Sequence, residues 1–115
     1  MQADYAEALR AHRFDLVEEN GTLIGLIETD TRADHLWIEN VAVLPAAQGR
    51  GIGRALLAHA EALARAAGYP KLCLLTNGKM TANRKLYAAL GYREDREEPF
   101  MDGTIVHLSK TIAML

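Results

Sequence analysis

The stretch Gln48-Gly49-Arg50-Gly51-Ile52-Gly53 constrains this chain more than any other. It follows an apolar run over 36–45 and opens a segment of helical periodicity that lasts to Ala67. A strand that passes through a glycine-rich turn into a helix start commits the fold to a strand–helix unit. It also leaves a nest of backbone N–H groups without acceptors, backed by the positive end of the helix dipole, and such a nest binds phosphate. Glycine lets the backbone turn tightly and approach a ligand with no Cβ in the way. Arg50 and Arg54 add positive charge where an anion would sit.

Spacing argues against two other phosphate loops. A Walker A loop ends in Gly-Lys-Ser/Thr, which is absent here. A dinucleotide loop has glycines at its first, third and sixth positions and an acidic residue about 20 residues on. Here the glycines are Gly49, Gly51 and Gly53, and the region around Cys73 carries no carboxylate. A turn that merely lets a helix pack close to a strand is the remaining alternative, disfavoured by two arginines in the same turn.

Periodicity places the other elements. A short helix is expected over 3–12 and a strand over 14–19. Asn20-Gly21 then signals a two-residue hairpin that returns the chain over 22–28. The polar segment 29–34 turns it again into a strand over 36–44. Ile52, Ala55, Leu56, His59, Ala60, Leu63 and Ala67 recur at three- and four-residue steps, which predicts a helix of about 17 residues ended by Gly68. The run Lys71-Leu72-Cys73-Leu74-Leu75-Thr76 suits a buried central strand, parallel to the one before the helix. A second helix is expected over 80–90, then a hairpin of 92–97 and 104–110 around Pro99 and Gly103. The fold class is therefore α/β (α+β): a mixed, mostly antiparallel central sheet flanked by helices, in one domain over 1–115.

Composition narrows the function. Half of the residues are hydrophobic and 24% are charged, which is ordinary for a soluble globular domain. A formal charge of −2 argues against a general nucleic-acid binder. No apolar run approaches the roughly 20 residues of a membrane span, and no signal sequence opens the chain, so no membrane partner and a cytoplasmic location are expected. The single cysteine, Cys73, excludes an internal disulfide and a cysteine metal cluster. His12, His59 and His107 show no metal-ligand spacing and read as surface or packing residues, so no metal is expected.

The pattern Gln-x-x-Gly-x-Gly, met by Gln48, Gly51 and Gly53, resembles the pyrophosphate loop of the GNAT superfamily of acyl-CoA-dependent N-acetyltransferases. Val41-Ala42-Val43-Leu44-Pro45 resembles that family's central strand, and the segment 83–92, with Asn83, Tyr87 and the Gly91-Tyr92 ending, resembles its second cofactor helix. The resemblance covers about residues 14–110. It implies transfer of an acetyl group from acetyl-CoA to a primary amine by direct attack in a ternary complex. The other reading is a catalytically silent CoA-binding sensor or partner subunit.

The resemblance also implies roles. Main-chain donors of Gln48, Gly49, Arg50, Gly51, Ile52 and Gly53 would hold the diphosphate, helped by Arg54. The amide-rich pantetheine arm would pair with the backbone of Val41 and Val43, where the two central parallel strands splay, and the Val43 N–H would face the thioester carbonyl. Tyr87 stands at the general-acid position; packing its ring beneath the sheet is the alternative role. Many members carry an Asn seven residues before this Tyr. Met80 occupies that place here, and Asn83, on the same helix face as Tyr87, is the candidate that substitutes.

The amine must lose a proton before it attacks. Glu39 is the leading base, placed by two-residue alternation on the face of Val41 and Val43, a parity that a β-bulge would break. Glu28, His35 and a water chain are the other options. The acceptor, a small-molecule or peptide amine, is expected to enter opposite the phosphates. Glu28, Asp30, Asp34, Glu94, Asp95, Glu97 and Glu98 would line its entry and favour a cation. The short segment before the first strand leaves the acceptor wall either open or completed by a second subunit in a homodimer.

Overall fold

A computed structural model describes residues 12–113. The helix expected over 3–12 therefore lies outside the described residues, His12 excepted. Among the described residues three strands come first: β1 (Arg13–Glu19), β2 (Thr22–Thr31) and β3 (Leu36–Val43). A short 3-10 turn (Pro45–Ala47) leads to the long helix α1 (Ile52–Ala67), then to β4 (Lys71–Asn77), the helix α2 (Thr81–Ala89), β5 (Arg93–Phe100) and β6 (Gly103–Thr111). The six strands form one sheet in the order β1-β2-β3-β4-β6-β5. Only β3 and β4 run parallel; every other neighbour pair is antiparallel.

Local chemistry explains the boundaries. Asn20 and Gly21 both take positive φ, 52° and 80°, and Glu19 pairs with Thr22. This is the primed two-residue turn whose twist matches that of the flanking strands. β2 extends three residues beyond the expected end at Glu28, because Thr29, Asp30 and Thr31 continue to pair with β3. Gly68 closes α1 in the left-handed conformation at φ 82°, its N–H bonded to carbonyls of the last turn.

Register divides the sheet into two faces. Gly25, Ile27 and Thr29 of β2 face α1, as do Leu36 and Ile38 of β3, Leu72 and Leu74 of β4, and Val106 and Leu108 of β6. They form one core with Leu56, Leu57, Ala60 and Ala64 of α1 and Tyr87 of α2. Ile27, Ala60, Ala64, Leu72 and Val106 are wholly buried. Gly25 is needed at its place: an added Cβ would sit 3.1 Å from the Ile52 side chain and 3.3 Å from the Ala42 carbonyl. Both described helices thus cover the same face of the sheet, here the helix face. The far face carries Phe14, Leu16, Leu26, Glu28, Asp30, Trp37 and Cys73 by the same alternation. Cys73 is half-buried there, and burial pushes its thiol pKa up.

Candidate active site

The parallel pairing of β3 with β4 is short. Leu36, Trp37 and Ile38 pair with Leu72, Cys73 and Leu74, and beyond them the two strands continue without pairing. The cause is visible on the other side of β3. Glu28 pairs with Asn40 while Thr29 pairs with Ile38, so Glu39 is an extra residue, a β-bulge. A bulge bends its strand and increases the local twist, and here it falls where β3 departs from β4. The result is a slot through the sheet between 39–43 and 75–77.

The main chain of β3 turns its polar groups into this slot. The Leu44 N–H donates to the Ile24 carbonyl of β2 at 2.9 Å. In an antiparallel ladder the groups of alternate residues point the opposite way, so those of Val43 and Val41 point away from β2, toward the gap. Gln48 Nε2 donates to the Val43 carbonyl at 3.2 Å and ties the glycine loop to the strand end.

Gly49 and Gly51 adopt φ of 81° and 83°, which L side chains rarely take. The first bond within α1 runs from Ala55 N–H to the Gly51 carbonyl at 3.0 Å, and no side chain caps Gly51. The N–H groups of Ile52, Gly53 and Arg54 therefore emerge at the helix start with no intrahelical acceptor. A Cβ built on Gly49, Gly51 or Gly53 meets nothing within 4 Å, so the side of the loop these glycines present is open.

That open side is one wall of a cleft of about 490 Å³ between α1 and α2. Gln48, Gly49, Gly51, Ile52, Gly53 and Arg54 line it at the loop, Val41 and Val43 along β3, and Asn83 and Tyr87 from α2. The structure thus brings ten of the twelve residues singled out in the sequence into one cavity. It adds Leu57, Met80 and Leu86, which make a wall apolar enough for an uncharged arm. Leu57 follows Gly53 by one helical turn, so the α1 periodicity could have found it; Met80 occupies the position where an Asn was expected.

The other two residues lie elsewhere. Arg50 is turned away from the cleft: its guanidinium holds the Glu19 carboxylate at the β1–β2 hairpin through both terminal nitrogens. The extended loop lets that side chain reach the hairpin, and each partner's pKa moves to favour the charged form. Glu39 corrects the parity expected for it. The bulge separates it from Val41 and Val43, and it shares the far face with Trp37, whose indole Nε1–H donates to Glu39 Oε2. The cleft and Glu39 therefore lie on opposite sides of the same slot.

Tyr87 is buried, 8% exposed, against Tyr92 in an edge-to-face pair with centroids 5.6 Å apart. Burial pushes its pKa above the ordinary tyrosine value, so the phenol keeps its proton at neutral pH. The expected acidic lining does not form as one surface. Glu28 contacts His12, Asp30 pairs with Arg32, Asp34 contacts His35 and Glu98 contacts His107. Glu94 and Glu97 share Arg84, and Asp95 pairs with Arg93. These carboxylates are spread over both faces, each already held by a side chain of opposite character. Among the described residues, no helix is long and apolar enough to cross a membrane, and no group of His, Cys, Asp or Glu could hold a metal ion.

A glycine nest at a helix start, beside a slot between diverging parallel strands, is a combination specific enough to compare with known proteins. The profile of the Acetyltransferase (GNAT) family matches residues 1–92. The chain belongs to this family. Among solved structures, a GNAT family acetyltransferase from Elizabethkingia anophelis with acetyl-CoA bound superposes with a TM-score of 0.83 at 22% identity, over 97% of this chain and 84% of that one. The ribosomal-protein-S18-alanine N-acetyltransferase from Escherichia coli gives 0.84 at 25% identity, over 100% and 79%. Arabidopsis thaliana Naa50, in complex with the bisubstrate analogue CoA-Ac-MVNAL, gives 0.80 at 19% identity, over 97% and 82%. No curated protein sequence matches the chain. The six-stranded mixed sheet with its two described helices is thus the GNAT acyltransferase-like fold.

Proposed function

We propose that this GNAT protein transfers an acetyl group from acetyl-CoA to the amine of a small molecule or peptide, with donor and acceptor bound at the same time. One observation carries the reading: a single slot through the sheet has a phosphate-type glycine nest and a protonated phenol on one face and a carboxylate on the other. Direct attack needs this two-sided arrangement, because donor and amine must meet without competing for the same space.

The donor fits the residues present. The open side of Gly49, Gly51 and Gly53 leaves room for a diphosphate against the N–H groups of α1. The apolar wall of Leu57, Met80 and Leu86 suits the uncharged arm, and Asn83 offers it an amide partner. Bound there, the donor supplies an activated acyl group as a thioester. The Val43 N–H, aimed into the slot, would stabilise negative charge developing on the acyl oxygen.

Three proton movements complete the balance. Glu39 takes a proton from the ammonium on the far face, directly or through a water, so that the amine presents its lone pair. As the new C–N bond forms and the C–S bond breaks, Tyr87 donates its proton to the departing sulfur; the adduct nitrogen gives up its remaining excess proton, which restores the phenol through water, and Glu39 releases its own proton to solvent. Its raised pKa keeps the phenol protonated for this task. Two measurements test the proposal. Calorimetry should detect CoA but neither NAD nor ATP, and acetyl-CoA with a panel of primary amines should release thiol. Binding without turnover across the panel would favour a silent CoA sensor; absence of binding would refute the donor assignment.

A further inference from the structure

The far side of the slot holds a connected set of side chains, of which the proposed reaction uses Glu39 alone. Trp37 and Glu39 stand two residues apart in β3, before the bulge reverses the alternation, so both project to the far face. The indole Nε1–H donates to one oxygen of Glu39, Oε2; the other, Oε1, has no hydrogen-bond partner among the described residues. The indole is itself held. The Arg32 guanidinium lies over its ring at 5.2 Å from the centroid, and the His35 ring meets it edge-on at 6.5 Å and 72°. Arg32 in turn donates from Nε to Asp30 Oδ2 at 2.8 Å, and Asp30 is the residue opposite Trp37 in the β2–β3 register.

A bulged glutamate has little to fix it. Its backbone is the unpaired residue of the strand, and its side chain has three rotatable bonds and an exposed position. Left alone, its carboxylate would sample many rotamers. A donor two residues back, clamped by a cation and an imidazole, selects one of them. We infer that Trp37 is a positioning residue for the amine-deprotonating step: it fixes one oxygen of Glu39 so that the other stays presented at the slot. The inference rests on the reading of Glu39 as the base. It identifies Trp37 as acting through Glu39, with Arg32 holding the ring.

A double-mutant cycle tests it. Wild type, Trp37→Phe, Glu39→Gln and the double variant are assayed with acetyl-CoA and the primary amine that responds best in the panel. Phe keeps an aromatic ring beneath Arg32 but has no N–H. Trp37→Phe should lower kcat by up to about a hundredfold, on the scale of a misplaced catalytic group. The KM for acetyl-CoA and the CoA affinity should not change. In the Glu39→Gln background the same substitution should have no further effect on kcat. Equal losses in both backgrounds, or none in wild type, would overturn the role of Trp37 while leaving Glu39 as base. Wild-type kcat in Glu39→Gln would instead remove the base and this inference with it. Should Trp37→Phe fold poorly, Arg32→Gln run through the same cycle applies the same criterion: a fall in kcat that vanishes without Glu39.

Discussion

Gly53→Ala separates donor binding from folding more cleanly than any other single change. Gly53 is the second residue of α1 and has helical φ, and a Cβ there meets no protein atom within 4 Å. The fold should accept the methyl group and gain up to about 1 kcal/mol, since alanine loses less backbone entropy in a helix. The methyl group would, however, stand in the mouth of the cleft beside the N–H groups of Gly53 and Arg54. Hydrogen bonds to a charged partner contribute about 1.5–3 kcal/mol each. Displacing a diphosphate from two of them costs about 3–6 kcal/mol, or roughly a hundredfold to ten-thousandfold in Kd. Gly51 is the poorer choice, because its φ of 83° adds about 1–2 kcal/mol of strain for any L side chain and confounds the two effects. The assay is calorimetric titration with CoA beside thermal unfolding of the free protein. An unchanged or higher melting temperature with binding lost is the expected pair. CoA affinity within about threefold of wild type would refute the claim that this helix start holds the phosphates.

Other consequences can be measured with the same material. Tyr87→Phe should bind CoA normally and lose about 10²-fold or more in kcat, while an unchanged rate would refute the acid role. Arg50→Ala should leave CoA affinity within about twofold, since Arg50 is engaged by Glu19, whereas Arg54→Ala should weaken it severalfold with a marked salt dependence. Leu57→Ala should cost about 2–5 kcal/mol in denaturant unfolding, because a side chain only 1% exposed would leave a cavity between α1 and the sheet. Burial raises the folded-state pKa of Tyr87 and Tyr92. The unfolded chain then ionises first, so their contribution is complete below about pH 10 and is lost as pH rises toward the folded-state values. Alkaline unfolding monitored by tyrosinate absorbance should show the two events together.

Much of the fold was legible along the chain because its signals are short-range. Asn20-Gly21 requires positive φ at two successive residues, and the turn takes them. The α1 stripe needs one buried face, and Leu56, Ala60 and Ala64 occupy it. The cleft was nearly as legible, since Gln48 to Gly53 and Asn83 to Tyr87 are each local patterns. What escaped was long-range. The positions of Leu57, Met80 and Leu86 in the cleft depend on how two helices lie against one sheet. Arg50 found its partner 31 residues away, which no local spacing announces. The carboxylates that looked like one acidic rim were divided between faces by strand register and answered by neighbours from other elements.

Sequence by itself determined that a strand must run through a glycine nest into a helix, because only glycine tolerates that backbone and only an apolar run suits the strand before it. Tertiary structure alone decided on which side of the sheet Glu39 lies. Its parity is set by one unpaired residue in the β2–β3 register, and a bulge is a property of two strands together.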